Sequence, residues 1–256
     1  MNRYMSVAAL LSAALLASCE KNAVQDITGV VPGASVKFFN FGVNAPGVHF
    51  YANDTKVTAI LSATGEEAVT GTIYGGVGAG GFYSAIAPGQ YTLSGKIAAV
   101  TDKDLAISKA TVNIADGKRY SYYQSGFYNA AGKAADAFIV EDDFINTLDY
   151  SVAYVRFVNA ISNANPMTLY ARNTTTMTEV ALGSSVAYKS AGAFTAVPNG
   201  VYDLSTRYTG VATNAIARAA VSFIAGRVYT IGARGDITVV STTAVNRPIL
   251  DNTANR

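Results

Sequence analysis

The stretch Ala153-Tyr154-Val155-Arg156-Phe157-Val158-Asn159 alternates side by side like one extended strand, and the chain has already written a version of it at Ala34-Ser35-Val36-Lys37-Phe38-Phe39-Asn40. In a strand, successive side chains point to opposite faces, so Val155, Phe157 and Asn159 share one side and Tyr154, Arg156 and Val158 the other. Val36, Phe38 and Asn40 against Ser35, Lys37 and Phe39 repeat that division. Parity places the first set of each copy inside a core and the cations Lys37 and Arg156 on the opposite face.

The rest of the chain follows in the same order twice. Repeat one has alternating runs at 36–40, 48–52, 56–61, 82–86, 91–97, 105–114 and 119–124, and repeat two has them at 155–159, 167–171, 179–182, 194–197, 202–208, 216–223 and 228–233. Val36 and Val155 stand 119 positions apart, as do Tyr51 and Tyr170, whereas Tyr120 and Tyr229 stand 109 apart. The extra length of repeat one therefore falls between the third and fourth strands, by the glycine-rich 75–81. Asn53-Asp54, Pro88-Gly89 and Asp116-Gly117 supply turn chemistry between strands. No segment holds a 3.6-residue apolar period, and short strands with Gly and Pro punctuation indicate an all-β fold of two tandem antiparallel β-sandwiches, Ig-like or transthyretin-like. The expected domains are 34–143 and 150–245, with 246–256 a loose tail. The boundary at 129–151 is polar and rich in small residues, which predicts repeats that fold independently. Within it, 138–140 is a candidate closing strand of repeat one, with 237–240 as its counterpart.

The N-terminus reads as a processing segment: Arg3 precedes an apolar run over 7–16 that is too short to span a bilayer comfortably. Leu16-Ala17-Ser18-Cys19 resembles the lipobox of bacterial lipoproteins, which implies signal cleavage between Ser18 and Cys19 and lipid attachment, including palmitate, at Cys19. Cys19 is the one cysteine of the 256 residues, so no intrachain disulfide is expected and stability rests on burial. Residues 1–18 are then a signal peptide and 19–33 a tether. Glu20 after Cys19, rather than Asp, is compatible with passage to the outer membrane.

Laid out together, the Val-Arg-Phe-Val-Asn-Ala opening, the Val-His-Phe-Tyr or Met-Thr-Leu-Tyr strand, the Pro-Gly-Gln-Tyr or Pro-Asn-Gly-Val-Tyr turn and the closing Gly-Lys-Arg-Tyr or Gly-Arg-Val-Tyr strand resemble the bacterial domain-of-unknown-function family 4397 in tandem. The resemblance implies β-sandwiches on a cell envelope. It brings no catalytic residues.

Candidate chemistry is sparse. A net charge of +2 with scattered Lys and Arg lacks the basic stripe of a nucleic-acid binder, so no nucleic-acid partner is expected. His49 is the one histidine, takes the parity opposite Val48 and Phe50, and reads as a solvent-facing strand residue. Gly76-Val77-Gly78-Ala79-Gly80-Gly81 spells a dinucleotide fingerprint, but a strand follows where a phosphate-binding helix is needed. Glu141-Asp142-Asp143 and Asp102-Lys103-Asp104 offer oxygen ligands for calcium without an EF-hand spacing, and solvated loops are the simpler reading. No metal or cofactor is expected. Tyr51, Tyr170 and Tyr123 share an outward parity, with Phe127 and Tyr128 beyond, and form a candidate ligand surface for a glycan, though cross-strand packing explains outward tyrosines equally well. These features predict a non-catalytic outer-membrane or cell-surface lipoprotein, a binding or structural module. Adhesion to glycans and a fimbrial or envelope-assembly subunit are the alternatives, and the expected partners are the membrane through the lipid anchor and a glycan or envelope protein.

Overall fold

The computed structural model describes residues 33–59, 67–143 and 149–255. The segments expected to be a signal peptide and, up to Pro32, a tether, with the expected cleavage and lipid-attachment positions Ser18 and Cys19, lie outside the described residues. Repeat one contains β1 (Ala34–Asn40), β2 (Val48–Ala52), β3 (Thr55–Lys56), β4 (Ser84–Ile86), β5 (Gly89–Ile97), β6 (Ala106–Ile114), β7 (Arg119–Asn129) and β8 (Ala134–Glu141). Repeat two contains β9 (Val152–Asn159), β10 (Met167–Asn173), β11 (Glu179–Ala181), β12 (Ser190–Ala191), β13 (Thr195–Pro198), β14 (Gly200–Tyr208), β15 (Ile216–Phe223), β16 (Val228–Arg234) and β17 (Ile249–Ala254).

Each repeat is a sandwich of two sheets. In repeat one the sheet β4-β1-β7-β8 faces β3-β2-β5-β6, and in repeat two β9-β16-β17, edged by β12 and β13, faces β11-β10-β14-β15. Apolar residues of one parity fill each interior: Val36, Phe38, Phe50, Leu93 and Tyr122 in repeat one, and Val155, Phe157, Leu169, Leu204 and Phe223 in repeat two. The expectation of wholly antiparallel sheets needs one correction per repeat, since β1 runs parallel to β7 and β9 parallel to β16. A parallel pair needs a long connection, and here that connection is the entire second sheet.

The recurring sequence motifs hold turns together. Asn40 donates through Nδ2 to the Thr72 carbonyl at 2.8 Å, and Asn159 does the same to the Val186 carbonyl at 3.2 Å. Tyr120 and Tyr229 each accept, at 3.1 Å, the backbone N–H five residues upstream, from Ala115 and Ile224. Between those partners lie Gly117 and Gly226, both at positive φ, so β7 and β16 each enter from a turn that the strand's own tyrosine clamps.

Two boundaries differ from the sequence reading. Residues 138–140 do belong to a closing strand, β8, but its counterpart is β17 and not 237–240. The register equates Tyr120 opposite Glu141 with Tyr229 opposite Ala254. Within the segment expected as a tail, Ile249–Ala254 therefore form an edge strand. The glycine-rich stretch forms a bridge from Val77 to Phe39 and a 3₁₀ turn over Gly78–Gly81 that leads into β4, with no phosphate-binding helix.

Candidate functional site: the seam between the repeats

Gly33–Arg256 forms one compact unit, and the two sandwiches meet through the faces that parity assigned to solvent. Phe39 on β1, Phe41 after it, Tyr123 on β7 and Phe138 on β8 form one apolar cluster with Val158 and Ala160 of repeat two. Tyr123 stacks on Phe39 at 4.5 Å and on Phe138 at 4.9 Å. The two faces are complementary in size: where repeat one places Phe39 opposite Tyr123, repeat two places Val158 opposite Gly232. A Cβ on Gly232 would lie 2.9 Å from the Phe41 ring, so the glycine makes room for it.

The cations Lys37 and Arg156 are both in this seam, 1% and 2% exposed, which overturns their reading as surface residues. They are equivalent, and so are their contacts. Lys37 Nζ donates at 2.7 Å to the carbonyl of Ala254, the last residue of β17, while Arg156 Nη1 donates at 3.0 Å to the carbonyl of Glu141, the last residue of β8. Lys37 lies 4.4 Å over the Tyr83 ring, and Arg156 4.7 Å over Phe194, two residues that take the same place just outside β4 and β13. Each repeat thus inserts a cation under an aromatic ring and caps the other repeat's final strand. Such reciprocal exchange is the signature of an isologous interface, here between two halves of one chain.

The residue following each capped carbonyl completes the centre. Arg156 Nη2 pairs with Asp142 Oδ1, and its Nε donates to Thr230 Oγ1 at 3.0 Å. Asp142 Oδ2 accepts from Ser121 Oγ at 2.7 Å and from Tyr83 Oη at 2.5 Å, and Asn255 Nδ2, the counterpart of Asp142, donates to Tyr83 Oη at 3.1 Å. A buried charge is costly unless it is paired and hydrogen-bonded, and Arg156 and Asp142 are both paired with each other and hydrogen-bonded to further partners. Burial lowers the Lys37 amine to about 8, with Asp142 opposing that shift and Arg156 adding to it. Burial likewise pushes the Tyr83 and Tyr123 phenols well above their usual range.

Two further contacts bind the seam at its ends. Tyr188 Oη donates to Asp136 Oδ2 at 2.8 Å, beside Lys189 Nζ at 3.3 Å from Asp136 Oδ1. At the other end Arg234 lies 4.7 Å over the Tyr74 ring and reaches Asp251 at 2.5 Å. Tyr74 and Tyr188 are counterparts, each two residues beyond an equivalent bridge to β2 or β10. Beside Arg156 the seam opens into a cleft of about 360 Å³ lined by Val140, Glu141, Asp143 and Phe194.

The tyrosines proposed as a ligand surface do not come together. Tyr123 is fully buried in the seam, and Tyr51 is 6% exposed on the outer face of the second sheet. Tyr51 has Lys96 over its ring at 4.2 Å, and its counterpart Tyr170, partly exposed, has Arg207 at 4.4 Å. Both are cross-strand neighbours under a cation. Arg207 is held by a fork to Glu179 at 2.7 Å, and Tyr51 Oη donates to Asp104 at 2.8 Å. His49 is also buried and not solvent-facing: its Nε2 lies 3.1 Å from Glu67, and burial holds its imidazole below the usual range. The acidic runs are engaged by cations, Asp102 by Lys133 at 2.5 Å, Glu141 by Lys118 at 2.6 Å and Asp142 by Arg156. Among the described residues no group of three or more His, Cys, Asp or Glu side chains is arranged to hold a metal ion.

Comparison with known proteins adds one family. A DUF4397 domain, a domain of unknown function, is found at residues 153–255, which takes in β17 and confirms the correction at the C-terminal end. No curated protein matches the chain. Among solved structures, the Bacillus anthracis TIE protein matches over 78% of this chain at 13% identity and a TM-score of 0.23, and the chain spans a third of that protein's length. A likeness at that score carries no inference.

Proposed function

We propose that the chain is a non-catalytic outer-membrane lipoprotein whose residues 34–143 are a second, divergent copy of the domain at 153–255, the pair acting as a rigid binding or structural module. The observation that carries the anchor is the sequence Leu16-Ala17-Ser18-Cys19, with the chain's one cysteine at the lipidated position of a lipobox. Several acyl chains, each methylene contributing about 0.8 kcal/mol on burial, hold such a protein on a membrane essentially permanently. The matched strand registers of β1/β7/β8 and β9/β16/β17 support the reading of two copies. A structural role for the charged residues is favoured over a catalytic one because Lys37, Arg156 and Asp142, the charges most strongly enclosed, bind one another's repeats and backbone carbonyls. The cation-covered tyrosines make the glycan platform the weaker alternative.

The test is Cys19→Ser, which removes the sulfur of the thioether. Cells fed a clickable fatty acid should label the natural chain and not the variant, and the variant should either remain uncleaved or leave the membrane fraction. Equal labelling and equal membrane partition of the two would overturn the lipoprotein reading.

A further inference from the structure

The two repeats also differ in how they pass from the seventh strand to the closing strand. Repeat one crosses from β7 to β8 through residues 130–133, whereas repeat two goes from β16 to β17 through residues 235–248. The fold does not require this excursion. The excursion is nevertheless tightly built: Asp236 N–H donates to the Asn246 carbonyl at 2.8 Å, Asn163 Nδ2 donates to Asp236 Oδ1 at 2.7 Å, and the same oxygen accepts from Thr238 N–H at 3.0 Å. Gly235, at φ +115°, is pressed so close to the Arg247 carbonyl that a Cβ would meet it at 2.3 Å.

This loop stands off β15 and leaves a groove of about 410 Å³ between them, walled by Ala215–Ala217 on one side and Ile237, Val239 and Pro248 on the other. A second hollow of about 360 Å³ continues it past Arg247 and Arg218 to β17. Among the described residues β15 is the last strand of its sheet and pairs with β14 alone, which leaves its outer edge without a strand partner along the groove. Ile237 packs on the interior cluster of repeat two, which makes the floor an extension of the core. Arg218 and Arg247 each use one Nη1 donor on a backbone carbonyl, of Leu250 and Ala244, and keep further donors at the groove. The nearby acid, Asp251, is paired with Arg234.

We infer that this groove binds an extended acidic peptide, which adds as a strand to the free edge of β15, lays alternate apolar side chains on Ile237 and Val239, and places a carboxylate between Arg218 and Arg247. Edge strands are natural templates for a further strand, backbone pairing gives the affinity, and alternate side chains give the selectivity. A guanidinium fork takes a carboxylate with two parallel hydrogen bonds, which sets the choice of an acidic partner. The inference deepens the reading of the chain as a binding module and is independent of the lipid anchor.

A displayed library of linear octapeptides, panned on the chain from Glu20 onward, tests it. Counter-selection uses a variant in which 235–248 is replaced by the Ala130-Ala131-Gly132-Lys133 turn and, in case that variant does not fold, the surface variant Arg218→Gln/Arg247→Gln. The expected result is enrichment of sequences that alternate β-branched or apolar residues and carry an acid at one fixed position. The best of them, fluorescein-labelled, should bind saturably, at least tenfold more weakly to the arginine variant, and not at all when alternate backbone amides are N-methylated. No enrichment over the counter-selected variants, or binding indifferent to both the arginines and N-methylation, would overturn the site. The anchor stands or falls separately, on the labelling of Cys19.

Discussion

Removing the Arg156 guanidinium leaves the Asp142 carboxylate buried opposite an empty space, with the Glu141 carbonyl and Thr230 hydroxyl also losing a donor. Breaking one partner of a buried pair costs about 3–5 kcal/mol, so Arg156→Ala should lower the urea midpoint markedly, while Arg172→Ala on an exposed strand end should change it little. Lys37 gives the matching pH test. Its folded pKa, about 8, lies below its unfolded value, so the unfolded chain binds the extra proton between the two. Stability contributed by this group therefore rises with pH from about 8 towards the unfolded value near 10.5, the reverse of a surface lysine that gains a carboxylate partner. Unfolding measured at pH 7 and 9.5 should show that increment in the natural chain and not in Lys37→Met. These two residues were legible as a repeated pair but not as buried ones, because parity divides a strand into two faces without saying whether the second face meets water. The available signal was that the same register holds a cation in both copies, each with an aromatic neighbour on its own face, Phe39 beside Lys37 and Tyr154 beside Arg156. His49, Tyr51 and Tyr123 were misplaced for the same reason.

At the scale of elements, periodicity identified the strands well wherever they carried apolar alternation on a core face, as in β1, β2, β9 and β10. β17 escaped because Ile249-Leu250-Asp251-Asn252-Thr253-Ala254 offers little apolar alternation, is preceded by Pro248 and follows a long excursion. Its place is set by pairing with β16, which no local pattern announces. The parallel pairing of β1 with β7 was invisible for a similar reason, since alternation reports faces and not neighbours. The size complementarity of the seam predicts a variant: Gly232→Val, in the middle of β16, drives a branched side chain into Phe41. Overpacking of this kind costs about 1–3 kcal/mol, and the environment of Phe41 should shift in ring-proton spectra while the interior of repeat two, marked by Leu169 and Leu204, stays as it was. An undisturbed Phe41 would show that the ring does not sit over Gly232.

At the scale of the whole molecule, the polar boundary at 129–151 suggested two bodies on a string, whereas the described residues place an apolar cluster, reciprocal capping of the final strands and a buried ion pair between the two sandwiches. Composition of a linker speaks to the connection alone; the face-to-face contact is written in residues far from it. A seam of this kind couples the repeats, because neither can unfold without exposing the other's buried cation, carboxylate or aromatic face. Scanning calorimetry of the chain from Glu20 onward, with and without Arg156→Ala, tests that coupling directly. One transition is expected, with calorimetric and van't Hoff enthalpies that agree, moved as a whole to lower temperature by the substitution. Two resolved transitions, of which Arg156→Ala lowers only that of repeat two, would contradict it.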